Sequence, residues 1–162
     1  MAGYYVELVE AIKAIALLQN TVKSAKDGDV YDNWNSAEVK YGAFNIGLES
    51  MHHEGQQCTY TFILYYGDRL TQDRINRNEI WADGMVTLQT IVNALGSIDG
   101  IEVPEEVDYT PYEQKFMDYL AGVWCRVDVT IESLIGECGD YLNTEWRLGM
   151  PLPALLGGTA LS

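Results

Sequence analysis

Thr59-Tyr60-Thr61-Phe62-Ile63-Leu64-Tyr65-Tyr66 is β-branched or aromatic almost throughout, which is the composition of a strand. Its end is apolar on both alternating faces, so a helix or a neighbouring subunit is expected to cover each side. Upstream, Phe44, Ile46 and Leu48 alternate with Asn45, Gly47 and Glu49, the period of a half-buried strand. Between the two runs lies the polar stretch His52-His53-Glu54-Gly55-Gln56-Gln57. Its Gly55 suits a connection of several residues between antiparallel strands.

Outward from this hairpin, helical spacing appears on both sides. Over residues 4–25 the apolar positions are Leu8, Ile12, Ile15, Leu18 or Gln19, and Val22, with Glu7, Glu10, Lys13 and Lys23 mostly off that stripe. An amphipathic helix is predicted there, stopping at Ala25-Lys26-Asp27-Gly28-Asp29. Residues 73–96 repeat the pattern with Ile80 or Trp81, Met85, Leu88, Ile91 or Val92, and Leu95. Gly96 is expected to end that helix in a left-handed cap.

Residues 99–118 carry Asp99, Glu102, Glu105, Glu106, Asp108, Glu113 and Asp118 against Lys115 alone, and Pro104 and Pro111 keep the first half from being helical. By pattern Tyr112 to Tyr119 is a strand or a short helix. Val123, Cys125, Val127, Val129 and Ile131 alternate with Trp124, Arg126, Asp128, Thr130 and Glu132, a half-buried strand. Residues 149–162 are uncharged and too rich in Gly and Pro for a helix. The expected fold class is α+β, helix–two strands–helix–two strands, an antiparallel sheet with helices packed on it and an extended C-terminal arm. The expected division is a domain over 1–138 and an arm over 139–162.

The chain of 162 residues has 10 Lys plus Arg against 24 Asp plus Glu, a net charge of −14. A globally basic nucleic-acid binder is therefore not expected, and the 48% hydrophobic content argues against disorder. Runs such as Ala14-Ile15-Ala16-Leu17-Leu18 fall far short of the roughly 20 residues that a spanning helix needs. Glu7 and Glu10 ahead of the first Lys do not suit a secretory signal. Cys58, Cys125 and Cys138 have no paired spacing and read as reduced thiols in a cytosolic setting.

Chemistry was weighed residue by residue. His52 and His53, the only histidines, point to opposite faces if on a strand, and read as a solvated turn rather than zinc ligands. The acidic stretch lacks the Asp-x-Asp-x-Asp-Gly spacing of a calcium loop and reads as a solvated segment. No Gly-x-Ser-x-Gly elbow occurs, and neither histidine sits in a recognisable catalytic context. No enzyme activity, cofactor or metal is expected. Asp68 can cap the following helix while Arg69 pairs with a nearby acid. Leu148, Met150, Leu152, Leu155, Leu156 and Leu161 would be a costly exposed set on a free monomer, so this arm is expected to dock on a neighbouring subunit or partner.

Two stretches carry a resemblance. Tyr60-Thr61-Phe62-Ile63-Leu64-Tyr65-Tyr66-Gly67-Asp68-Arg69-Leu70, followed by Asn78-Glu79-Ile80 and a helix with Asp83, Leu88 and Ile91, resembles a strand ending in Asp-Arg in tailed-phage neck proteins. Phe116-Met117-Asp118-Tyr119-Leu120-Ala121-Gly122-Val123 is similar to their Phe-x-Asp-x-x-Ala-Gly pattern before a last strand that leads towards a Cys, here Cys138. The resemblance covers residues 4–138. It extends to proteins of short-tailed phages, including those of gut Bacteroidetes, and to the tail-terminator (tail-completion) fold.

The resemblance implies a virion structural protein, a subunit of a neck or head–tail connector ring of six or twelve copies. Such a ring joins portal to tail, contacts adjoining portal, neck or tail proteins, and surrounds a channel through which DNA passes without sequence-specific binding. It implies residence in the virion neck, after assembly in the host cytoplasm, and no membrane. The motif positions it singles out are Asp68, Arg69, Phe116, Asp118, Ala121 and Gly122. The acidity suits a lumen that must not hold its cargo. The alternative is a small acidic binding module or inhibitor presenting residues 99–118 to a basic partner. A carboxylate-based hydrolase or metal-dependent enzyme is a further rival.

Overall fold

The computed structural model describes residues 3–36, 39–116 and 118–132. The elements are α1 (Gly3–Leu17), β1 (Ser24–Asp27), α2 (Val30–Trp34), β2 (Ala43–Glu54), β3 (Gln57–Arg69), α3 (Arg77–Gly96), β4 (Ile101–Glu102), β5 (Tyr109–Lys115) and β6 (Tyr119–Glu132). The fold is α+β. Among the described residues six strands form one sheet in the order β1-β2-β3-β6-β4, with β5 also paired to β6. The predicted arm from residue 139 lies outside the described residues.

Alternation sets the two faces of the sheet. Tyr60, Phe62, Leu64 and Tyr66 of β3 and Val123, Cys125, Val127 and Val129 of β6 are buried on one face. There they meet Leu8, Ile12 and Ile15 of α1 and Leu88, Ile91 and Leu95 of α3. The opposite face is covered at one end only, where Trp34 of α2 joins Ala43, Phe116 and Leu120 in a second apolar cluster. Beyond it that face carries polar cross-strand pairs: Arg126 donates to both oxygens of Glu49 at 2.8 Å, and Thr61 to Asp128 at 2.6 Å.

Several expectations are corrected. The first helix ends at Leu17 rather than near residue 25. The backbone N–H groups of Lys23 and Ser24 bond to the Gly42 carbonyl, and β1 then pairs with β2 in parallel, Ser24 opposite Ala43. Ladder bonds thus outweigh the helical period, Leu18 is left 79% exposed, and the sheet is mixed rather than wholly antiparallel. Gly28, at φ +111°, ends β1 instead of a helix. Asp29 then caps the unforeseen α2 by accepting from the N–H groups of Tyr31 and Asp32.

The hairpin connection is shorter than residues 52–57, because β2 runs to Glu54 and β3 begins at Gln57. Only Gly55 and Gln56 remain as the turn, with Gly55 at φ +59°. α3 begins at Arg77, since residues 70–76 form a hydrogen-bonded loop. Gly96 is not left-handed. Ser97 closes the helix, and the space at Gly96 is taken by Val103, which would stand 2.8 Å from a Cβ there. Tyr112 lies on strand β5, and Pro111 sits in that strand where its outer edge is unpaired. Cys58 is disulfide-bonded, to a partner outside the described residues, so the three thiols are not all reduced. Cys125 is free and buried.

Candidate functional site

The two motif stretches are neighbours in space. β3 and β6 run antiparallel with Gly67 opposite Gly122, Asp68 opposite Ala121 and Arg69 opposite Leu120. Ala121 is fully buried towards α3, whereas Phe116 is buried on the other side, its ring 5.4 Å from those of Trp34 and Tyr31. The turn between β5 and β6 is closed by the Phe116 N–H bonding the Asp118 carbonyl. Asp118 is thereby held under the end of β3, where its Oδ2 accepts from Tyr41 Oη at 2.6 Å and from Arg69 Nη2 at 3.3 Å. The Arg69 guanidinium lies over the Tyr41 ring, 4.7 Å from its centroid. Burial, reinforced by the Asp118 carboxylate, raises the Tyr41 phenol above its ordinary value.

Asp68 does not cap α3. Its Oδ1 accepts from the Arg69 N–H at 2.8 Å. Burial pushes its carboxyl above the usual range, the carboxylate of Asp83 adding to this, while that N–H bond and the Arg69 charge pull the other way. The residue at the helix cap is Asn76, whose side chain donates to the Arg69 carbonyl at 3.1 Å and accepts from the Thr71 N–H. Asp73 accepts from Thr71 Oγ1 and from the Ile75 N–H, which lowers its pKa. Arg74 sits in the left-handed region at φ +57°, a conformation that a long side chain adopts only where its surroundings over-determine it. The loop therefore presents Ile75, 79% exposed, from a tightly bonded frame.

Three further cations gather round this corner. Arg77 Nη1 donates to Glu113 Oε1 at 3.2 Å and its guanidinium lies 4.9 Å from the Trp81 ring centroid. Arg74 and Lys115 stand over the Tyr119 ring at 5.6 and 5.5 Å. Trp81 Nε1 donates to the Tyr112 carbonyl at 3.0 Å, and Tyr112 Oη donates to the Tyr66 carbonyl, also at 3.0 Å. Burial raises the Tyr112 phenol well above its ordinary value, so it remains a donor. The result is a corner of arginines on aromatic rings, the composition favoured at the centre of protein interfaces.

Tyr41, Arg74, Ile75, Arg77 and Tyr112 were missed by the motif reading. A signal for the arginines was available: Arg69, Arg74 and Arg77 fall within nine residues of a chain with only 10 cations.

The other candidates are dispersed. His52 and His53 lie on β2 and are exposed, His52 Nε2 standing 3.8 Å from Glu54. Among the described residues no group of three or more His, Cys, Asp or Glu is placed to hold a metal ion. Burial pushes the Cys125 thiol up to about 12, so it is protonated and no nucleophile. Asp99, Glu102, Glu105, Glu106 and Asp108 are exposed at the opposite end of the sheet, where β4 pairs with the end of β6. A cleft of about 470 Å³ there has Asp99 and Glu102 as its charged lining. Leu148, Met150, Leu152, Leu155, Leu156 and Leu161 lie outside the described residues. No described helix is long and apolar enough to cross a membrane.

No protein-family model matches the chain, and no curated protein matches it.

Proposed function

We propose that the chain is a virion structural protein, a subunit of a tail-terminator-like neck ring that joins portal to tail around the DNA channel. The observation that carries this reading is the meeting of the two motif stretches that resemble phage neck proteins. They are separated by α3 in sequence, yet Gly67, Asp68 and Arg69 stand directly opposite Gly122, Ala121 and Leu120. The α+β architecture and the arginine-on-aromatic corner support an assembly role. The subunit acts as a rigid wedge whose ends and C-terminal arm contact neighbouring copies and adjoining rings. A net charge of −14 disfavours sticking to DNA in transit.

Native mass spectrometry over a concentration series, with negative-stain images of the largest species, tests this. Closed rings of six or twelve copies are the expected result. A chain that stays monomeric at every concentration and does not join a ring when portal or tail proteins are added would overturn it. Salt-dependent binding of that monomer to a basic protein would favour the acidic-module reading.

A further inference from the structure

The two ends of β6 carry different charge. At its start stand Arg69, Arg74, Arg77 and Lys115, around the exposed Ile75 and Tyr119. At its end stands the segment 99–108, with five exposed acids and no Lys or Arg. Leu120 pairs with Arg69, and Thr130 with Glu102. Ten residues of strand at about 3.3 Å each therefore put the two ends roughly 33 Å apart. A copy cannot bring its own acidic segment to its own corner.

The corner has acids of its own. Glu113 and Asp118 pair with the arginines, and Asp68, Asp73 and Glu79 lie on the neighbouring backbone. Yet each guanidinium carries five N–H donors. Arg69 and Arg77 each make one side-chain hydrogen bond to a carboxylate, and Arg74 stands 4.0 Å from Glu113. Their planes are held by Tyr41, Tyr119 and Trp81, so their orientation is fixed before any partner arrives.

We infer that this corner is the docking surface for the acidic segment 99–108 of a second copy, in a head-to-tail contact. The chain's own charge selects the occupant. With a net charge of −14 a nucleic acid is repelled at long range, while the acidic segment of another copy offers carboxylates to the one region where arginines cluster. Because the two surfaces differ, the contact is heterologous and generates a closed ring or an open chain, according to the rotation per copy. The inference draws on the ring reading only for closure.

The test uses two full-length variants, one with the corner reversed (R74E/R77E) and one with the segment reversed (E105K/E106K). Each is studied by sedimentation velocity and electron microscopy, alone and mixed in equal amounts. Far-ultraviolet circular dichroism of each, together with R74K/R77K as a charge-preserving control, separates misfolding from lost contact. The wild type is expected to associate, each reversed variant to associate at least about tenfold more weakly, and the mixture to recover. Closed rings that form equally well in both reversed variants would overturn this contact and leave the ring reading intact. Dimers or open chains lost in each variant and restored in the mixture would uphold the contact and overturn the ring. A mixture that fails to recover, a wild type that stays monomeric, or a corner that instead binds a duplex DNA probe would each overturn the inference.

Discussion

Gly67 and Gly122 face each other across β3 and β6, and the room they leave is filled by Trp34 and by Tyr112, whose hydroxyl reaches over to the Tyr66 carbonyl. A Cβ on Gly122 would collide with the Tyr66 carbonyl oxygen and with Tyr112 Oη, and one on Gly67 would stand 2.8 Å from the Trp34 ring. Both glycines are therefore packing residues that allow a third strand and an indole to close on the β3–β6 ladder.

Gly122→Ala is accordingly expected to cost about 3 kcal/mol, because the clash is with backbone and the strands must part. Gly55→Ala, at φ +59° with nothing within 4 Å, is expected to cost only about 1 kcal/mol, the conformational penalty alone. Urea unfolding of the two variants decides it; equal losses would show that the Gly122 contact relaxes freely.

Tyr112→Phe removes the hydrogen bond to the Tyr66 carbonyl while keeping the ring in place. A loss of about 1 kcal/mol is expected, with an unchanged denaturant slope. A loss below a few tenths would mean that the hydroxyl is satisfied by water and does not tie β5 to β3.

Asp68 gives a pH signature. Its folded-state pKa is raised above 3.8 by burial, so between that value and the raised one the native state binds more protons than the unfolded chain. Stability therefore falls as pH rises through this window, and the deficit persists above it. Asp68→Asn keeps the acceptor oxygen for the Arg69 N–H and is expected to melt a few degrees higher than wild type at neutral pH, the difference vanishing near pH 3. A variant that melts lower at neutral pH would show that the ionised carboxylate is favourably paired.

Thiol chemistry checks the core. Cys125 is fully buried with its pKa near 12, so iodoacetamide at about pH 8 is expected to leave it unmodified until the protein is denatured. Cys58 is expected to resist alkylation unless the chain is first reduced, because it is disulfide-bonded. Peptide mapping with and without reductant reads both; rapid native labelling of either cysteine would contradict the burial or the bond.

Deletion of residues 149–162 is expected to leave the melting temperature within a degree or two of the full chain while weakening assembly. The segment has no charge and six to eight apolar side chains seeking cover. A truncated chain that assembles normally removes the arm from the contact.

The strands around Ile46, Leu64 and Val127 are legible in the sequence because one face is buried, and a period of two has one physical cause. α3 is legible for the same reason. Residues 18–29 are not, since Val22 continues a helical stripe, while the Gly42 carbonyl that captures Lys23 and Ser24 arrives from a distant turn. Asp68, Arg69 and Asp118 are visible as motif residues, but their shared partner Tyr41 is not. It comes from a connecting segment with no periodic signal, and only the fold brings it within 2.6 Å of Asp118.

The ladder between β3 and β6 joins Arg69 to Leu120 at one end and Gln57 to Glu132 at the other, partners separated by more than fifty positions. Strands so far apart in sequence pay a large loop-closure entropy before any pair rewards them, which slows folding to milliseconds or longer. On the ribosome, α1 and the β2–β3 hairpin emerge long before β6, and Phe62, Leu64 and Tyr66 wait with nothing on one flank. The strand that occupies the interior of the sheet is the last of the described elements to be synthesised, so the nascent chain must be shielded until residue 132 has cleared the exit tunnel.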